Sequence, residues 1–289
     1  MNPLDLVKLT VLMELTSGRP EIGIGLIDGP IAVNHPDFSG TQIHEIPGGL
    51  NSKCIQTNSI ACTHGTFVAG ILGAQRHSSA LAICPNCTLL VRPIFTEATS
   101  GSEQMPSASP EELAAAIIES INAGARVLNM SIALAQPSSR GQRELEEALD
   151  YALKRGVVVV AAAGNQGSLG SSVITRHPWV IPVIACDLQG RPINQSNLGN
   201  STGKRGLSAP GDNITSLGVE NKALTLGGTS VATPFVTGSI ALLWSLFPNV
   251  TAAEVKFAVT QAHTSRRATV VPPLLDAWAM YQVMLNSLS

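Results

Sequence analysis

Charge is scarce in this chain. Its 289 residues hold 18 Lys and Arg against 20 Asp and Glu, 13% of the total, for a net charge of −2. Nothing in that small supply gathers into the basic patch that nucleic-acid binding requires, so nucleic acid is excluded as a partner. No apolar run reads as long enough to span a membrane. The stretch Met1–Leu15 carries an acid, Asp5, ahead of its apolar part and has no small-residue cleavage site, which argues against a signal peptide. Internal repeats and low-complexity tracts are absent. What is left is a hydrophobic fraction of 44% and a mean hydropathy of +0.23, the composition of a chain with an ample core and little disorder.

Strand-like and helix-like segments alternate, the pattern of a mostly parallel sheet covered by helices on both faces, an α/β architecture in three layers. Strands are expected at Ile22–Ile27, Thr88–Ile94, Arg126–Ile132, Val157–Ala163, Val180–Ala185 and Leu207–Ala209. Helices are expected at Pro110–Ala123, with Ser109 as N-cap and Glu111 and Glu112 in its first turn, and at Arg143–Lys154, stopped by Gly156. Further helices are expected from Ser230 to Leu246, at Ala252–Ala262 and around Leu274–Leu285. The apolar positions Leu4, Val7, Leu12 and Leu15 suit a short helix packed on the domain. Residues 1–21 therefore read as an N-terminal helical arm and residues 22–289 as a single domain.

Four positions carry chemistry. In Gly228-Thr229-Ser230-Val231-Ala232-Thr233-Pro234 a serine opens an apolar helix, where free backbone N–H groups and partial positive charge favour a developing anion. The plain alternative is an N-cap serine. A hydroxyl is a poor nucleophile at neutral pH and needs a histidine base held by a carboxylate. Of six histidines only His64, in Thr63-His64-Gly65-Thr66, sits at the start of an apolar helix. Asp28 ends the apolar run Ile22–Ile27, at the carboxyl end of a strand where chemistry gathers in parallel sheets; taken alone, Asp28-Gly29 would be a turn. Asn165 closes the run Val157–Gly164 with a side-chain amide able to donate to an oxyanion, beside the backbone N–H of Ser230.

The order Asp28, His64, Asn165, Ser230, each in its motif, resembles the subtilisin-like serine peptidases over nearly the whole chain, and differs from the chymotrypsin and α/β-hydrolase orders. The resemblance implies a subtilisin-like fold and endoproteolysis through an acyl-enzyme, with Asp28, His64 and Ser230 catalytic and Asn165 in the oxyanion hole. It implies that Leu128-Asn129-Met130-Ser131 belongs to a substrate-binding strand, so that an extended peptide lies beside Asn129, Ser131, Ile132 and Ala133 and a segment in 97–103, with Ala162 and Gly164 at the first pocket. Phe67 and Phe235 stand where the family usually has histidines, changes that concern packing. Ile132-Ala133-Leu134 replaces a glycine-rich continuation and adds bulk to the first pocket. The loop Gln75–Leu81, at the place of the family's calcium loop, lacks the carboxylates a hard cation needs, so neither metal nor cofactor is expected.

Five cysteines fall into Cys54 with Cys62, Cys84 with Cys87, and Cys186. Zinc is disfavoured by the spacing of the first pair, and disulfides or reduced thiols are both compatible with the sequence. The Asp28-Gly29-Pro30 turn, His35-Pro36, the cysteines near His64 and Pro93-Ile94-Phe95 resemble the subtilisin-like proteases of cyanobactin biosynthesis, which process ribosomally made precursor peptides. That resemblance implies a processing protease acting on a peptide substrate, and the poor match of Met1–Leu15 to a signal peptide leads to the expectation of a cytoplasmic location. A transamidating macrocyclase and a silent peptide-binding relative are the alternatives. The cyclising type carries a helical cap between its aspartate and histidine, and the 35 residues between Asp28 and His64 leave little room for one.

Overall fold

In the computed structural model, residues 2–47, 50–51, 53–97, 108–132, 141–262 and 269–288 are described. The strands are β1 (Gly23–Asp28), β2 (Ile43–Glu45), β3 (Thr88–Pro93), β4 (Ala125–Met130), β5 (Val158–Ala162), β6 (Val180–Cys186), β7 (Leu207–Pro210), β8 (Ile214–Leu217) and β9 (Ala223–Leu226). The helices are α1 (Pro3–Leu6), α2 (Leu9–Leu15), α3 (Ile60–Gly73), α4 (Pro110–Asn122), α5 (Gln142–Arg155), α6 (Val173–Arg176), α7 (Asn200–Arg205), α8 (Thr229–Leu246), α9 (Ala252–Gln261) and α10 (Ala277–Leu288). The first seven strands form one parallel sheet in the order β2-β3-β1-β4-β5-β6-β7, and β8 and β9 form an antiparallel hairpin.

Alternation along the strands sends side chains into two separate cores. Val158 and Val160 enter a core with α3 and α8 residues such as Phe67, Phe235 and Trp244, while Val159 and Ala161 enter one with α4 and α5 residues such as Leu113, Ile117, Leu145 and Leu149. This is the three-layer α/β arrangement with helices on both faces. Helix α8 is 18 residues long and apolar enough by length and composition to cross a bilayer, contrary to the expectation that no such run exists; 89% of it is buried inside the fold, so its apolarity serves the core. Phe67 and Phe235 are fully buried there.

Several elements differ from expectation. The N-terminal helix is two helices, broken at Lys8, which adopts a left-handed φ of 55°. Val7, Leu9 and Leu12 are fully buried in the α8 core, and Arg76 donates to the carbonyls of Met13 and Thr16, at 2.7 and 2.9 Å. The last helix begins at Ala277 and not at Leu274, which instead bridges to Ser208 beside β7. The short elements β2, β8, β9, α6 and α7 had no counterpart in the sequence reading.

Candidate active site

The sheet order reverses at β1, whose neighbours are β3 and β4, and β1 ends in Asp28. Such a switch point leaves a crevice at the strands' carboxyl ends. Two glycines let α3 press against that end. A Cβ on Gly29 would stand 2.0 Å from the Ala61 carbonyl oxygen, and one on Gly65 2.5 Å from the Gly29 carbonyl oxygen. Ser59 caps α3 by accepting from the Cys62 N–H, and the helix carries His64 in its second turn. The close approach joins His64 Nδ1 to Asp28 Oδ1 at 2.7 Å, and the same oxygen accepts from the Gly29 N–H at 2.7 Å.

Asp28 is fully buried and His64 nearly so. Burial opposes the imidazolium, and the charge and hydrogen bond of Asp28 together outweigh it, so the His64 pKa lies above the ordinary histidine value. Because Nδ1 faces the carboxylate, it carries the proton of the neutral ring, and Nε2 is left as the base.

Ser230 occupies the second position of α8, where backbone N–H groups have no acceptor within the helix. Gly228 precedes the helix with φ of 124°, a conformation that side chains rarely adopt. A Cβ there would also lie 3.1 Å from Asn165 Nδ2. Asn165 follows the end of β5, and its Oδ1 accepts from the Thr229 N–H at 2.9 Å and the Thr229 hydroxyl at 3.0 Å. With the amide oxygen engaged, Nδ2 is the end of the side chain available to an incoming oxygen.

His64, Asn165 and Ser230 all line one cleft of about 670 Å³. Of the residues expected to bind substrate, Ser131, Ile132 and Ala162 line it too, and Asn129 and Gly164 do not appear on its wall. Asn129 is fully buried in β4, and Gly164 donates its N–H to Thr229 Oγ1 at 3.2 Å. Ala133, and residues 98–103 of the expected second substrate segment, lie outside the described residues. The sequence reading missed Ile94, Phe95 and Leu113 on one wall of the cleft and Leu224 and Leu226 on another. No Lys, Arg, Asp or Glu is among its described lining residues. Thr229 was also missed, although its place between Gly228 and Ser230 signalled a side chain able to reach Asn165.

Cys54 and Cys62 form a disulfide that ties the loop ahead of α3 to its first turn, while Cys84, Cys87 and Cys186 are buried free thiols. Glu97 lies close enough to Cys54 and Cys62 to complete a set of metal-ligating groups, but the two thiols are joined to each other, and the carboxylate accepts from the backbone N–H groups of Ile55 and Gln56.

Residues 20–274 match the Subtilase family of peptidases. Subtilisin DY of Bacillus licheniformis is 31% identical over 250 residues, 84% of each chain. Several other curated relatives are spanned over little more than half of their length. Among solved structures, a mutant of the protease domain of PatA superposes with a TM-score of 0.84 at 28% identity, covering 93% of this chain and 97% of that one. The prenylagaramide maturation protease PagA superposes with a TM-score of 0.82 at 30% identity, covering 96% of this chain and 98% of that one.

Proposed function

We propose, from the premise that this chain belongs to the subtilase family and is a subtilisin-like serine protease, that it cleaves peptide bonds through an acyl-enzyme formed on Ser230. His64 Nε2 takes the Ser230 proton as Oγ attacks the carbonyl, and later gives it to the leaving amine. Asp28 holds the His64 tautomer and stabilises the imidazolium, and Asn165 Nδ2 and the Ser230 N–H receive the oxyanion. Water then attacks the ester and regenerates Ser230. The observation that carries this reading is the buried 2.7 Å hydrogen bond from His64 to Asp28, at the edge of the cleft that Ser230 shares.

The test is covalent labelling with a fluorophosphonate, with Ser230→Ala as control. Stoichiometric labelling of the wild-type chain and none of the variant is expected; a folded wild-type chain that takes no label refutes the reading.

The substrate is a peptide, bound extended along Ser131 and Ile132 with its first side chain near Ala162. The finer reading is a processing protease for a ribosomally made precursor, of the cyanobactin-maturation type. It is supported by the likeness to PatA and to the prenylagaramide maturation protease PagA. Hydrolysis is favoured over cyclisation, because the described residues between Asp28 and α3 form one 3-10 turn and one three-residue strand and no α-helix. Mass spectrometry of the product from a precursor peptide separates the two: a linear core supports this reading, and a cyclic one overturns it. A cytoplasmic location and an arm of residues 1–21 on a single peptidase domain complete the proposal. The arm is supported by the burial of Val7, Leu9 and Leu12 in the main core.

A further inference from the structure

Proline at position 234 creates a problem that the rest of the fold answers. In an α-helix the N–H of residue 234 would bond to the carbonyl of residue 230, and proline has no N–H to give. The carbonyl of Ser230 therefore loses its helical donor at the very residue that bears the nucleophile. A buried carbonyl without a partner costs about 1–3 kcal/mol and leaves its peptide free to turn.

The missing donor comes from the neighbouring strand. Ser131 Oγ donates to the Ser230 carbonyl at 2.7 Å. That hydroxyl in turn accepts from Asn129 Nδ2 at 2.9 Å, and Asn129 Oδ1 accepts from the Thr237 hydroxyl at 2.8 Å. The chain of bonds leaves α8 at Thr237, crosses to the β4 segment and returns to α8 at Ser230, two turns earlier. Asn129 and Thr237 are fully buried and do not line the cleft, so neither meets a peptide. The Thr237 hydroxyl has a second acceptor, the Thr233 carbonyl, at 3.3 Å; the shorter contact is the one to Asn129. Asn129 is thereby fixed with its amide nitrogen toward Ser131, and Ser131 with its proton toward Ser230.

We infer that Thr237, Asn129 and Ser131 form a relay that positions Ser230 for attack, standing in for the hydrogen bond that Pro234 deletes. The inference rests on Ser230 being the nucleophile. These three are positioning residues: they fix the Ser230–Val231 peptide, which adjoins the Cα that carries Oγ and the oxyanion-binding N–H. Misplacement of a reacting group by about 1 Å can cost on the order of 100-fold, so partial loosening of one turn should cost roughly tenfold or more.

The experiment measures kcat and KM for a peptide substrate, the fluorophosphonate labelling rate and the melting temperature. Ser131→Ala and Thr237→Val should each lower kcat and the labelling rate roughly tenfold or more, with KM within about twofold for Thr237→Val, whose side chain meets no peptide. Thr237→Ser, which keeps the hydroxyl, should restore both rates. The double variant should be no slower than the slower single, because the relay acts as one unit. The sharpest arm is Ser131→Ala combined with Pro234→Ala, which returns a backbone N–H to the Ser230 carbonyl and should recover rate lost by Ser131→Ala alone. Unchanged kcat in folded Ser131→Ala and Thr237→Val overturns the relay. So does a lowered melting temperature with rates intact, or failure of Pro234→Ala to rescue. If the wild-type chain itself takes no label, the protease reading fails, a result distinct from labelled wild type with unaffected variants.

Discussion

Gly65→Ala is the most direct probe of how the fold builds the site. The new methyl carbon would stand 2.5 Å from the Gly29 carbonyl oxygen and 2.6 Å from that of Pro30, both backbone atoms that cannot swing away like a side chain. Reaching an ordinary separation of about 3.4 Å requires α3 and the end of β1 to part by roughly 0.9 Å. That movement acts across the same seam as the 2.7 Å bond between His64 and Asp28, so it stretches the bond out of hydrogen-bonding range. A 1 Å error at a catalytic group costs on the order of 100-fold, which is the loss expected in kcat/KM and in the fluorophosphonate labelling rate. The variant keeps every ionisable group, so the loss should not be recovered by raising the pH. Circular dichroism and a melting curve establish that the sheet and cores persist. Wild-type labelling and turnover in a folded Gly65→Ala protein would refute the claim that this contact sets the pair.

Asn165→Ala should lower kcat by about 100- to 1000-fold with little change in KM, as steady-state kinetics on a peptide ester would read, if Nδ2 meets the oxyanion only in the transition state. For pH dependence, the proposed base is neutral His64, and its pKa is raised above 6.5, so the acid limb of kcat/KM should have its midpoint above 6.5. Asp28→Asn removes the raising charge and leaves burial, so the midpoint should move down while the plateau falls roughly 10,000-fold. Cutting the Cys54–Cys62 bridge, which closes a loop with a separation of 8 residues, should lower stability by about 2.5 kcal/mol in denaturant titrations with and without reductant.

The proposed catalytic residues were legible because each stands at or near the end of a strongly patterned element. Asp28 and Asn165 follow apolar strand runs, Ser230 opens an apolar helix, and His64 stands beside a glycine in another, though α3 begins at Ile60, four residues before the start expected at His64. The cleft walls were not legible for the opposite reason. Strands β8 and β9 have four residues each, and β9 alternates only between exposed and half-buried positions, too weak a period to stand out in a sequence. Leu224 and Leu226 on that strand thus reach the cleft without a local signal. The break at Lys8 was hidden as well, since lysine carries no propensity for a left-handed φ and the surrounding packing imposes it.

Asn129 and Ser131 illustrate a further limit, one of direction within a motif. The family resemblance of their motif implied substrate contacts, and Ser131 does line the cleft, yet both side chains are engaged with the interior. A strand alternates its faces but does not disclose where a polar side chain at its end will find a partner. Here the deciding fact lies about a hundred residues away, in a proline that removes an N–H from α8. With that proline, Asn129 of β4, Ser131 just beyond it and Thr237 of α8 cease to be isolated polar residues in an apolar core. Asn129 Nδ2 and Oδ1, Ser131 Oγ and Thr237 Oγ1 all have partners, so burying them leaves none of these atoms unsatisfied. The start of α8 is thus held from three sides: by Gly228 in its backbone, by Asn165 on the Thr229 N–H, and by Ser131 on the Ser230 carbonyl. Two of those anchors come from just beyond the ends of neighbouring parallel strands, β4 and β5, so the precision of the proposed nucleophile's position is inherited from the register of the sheet.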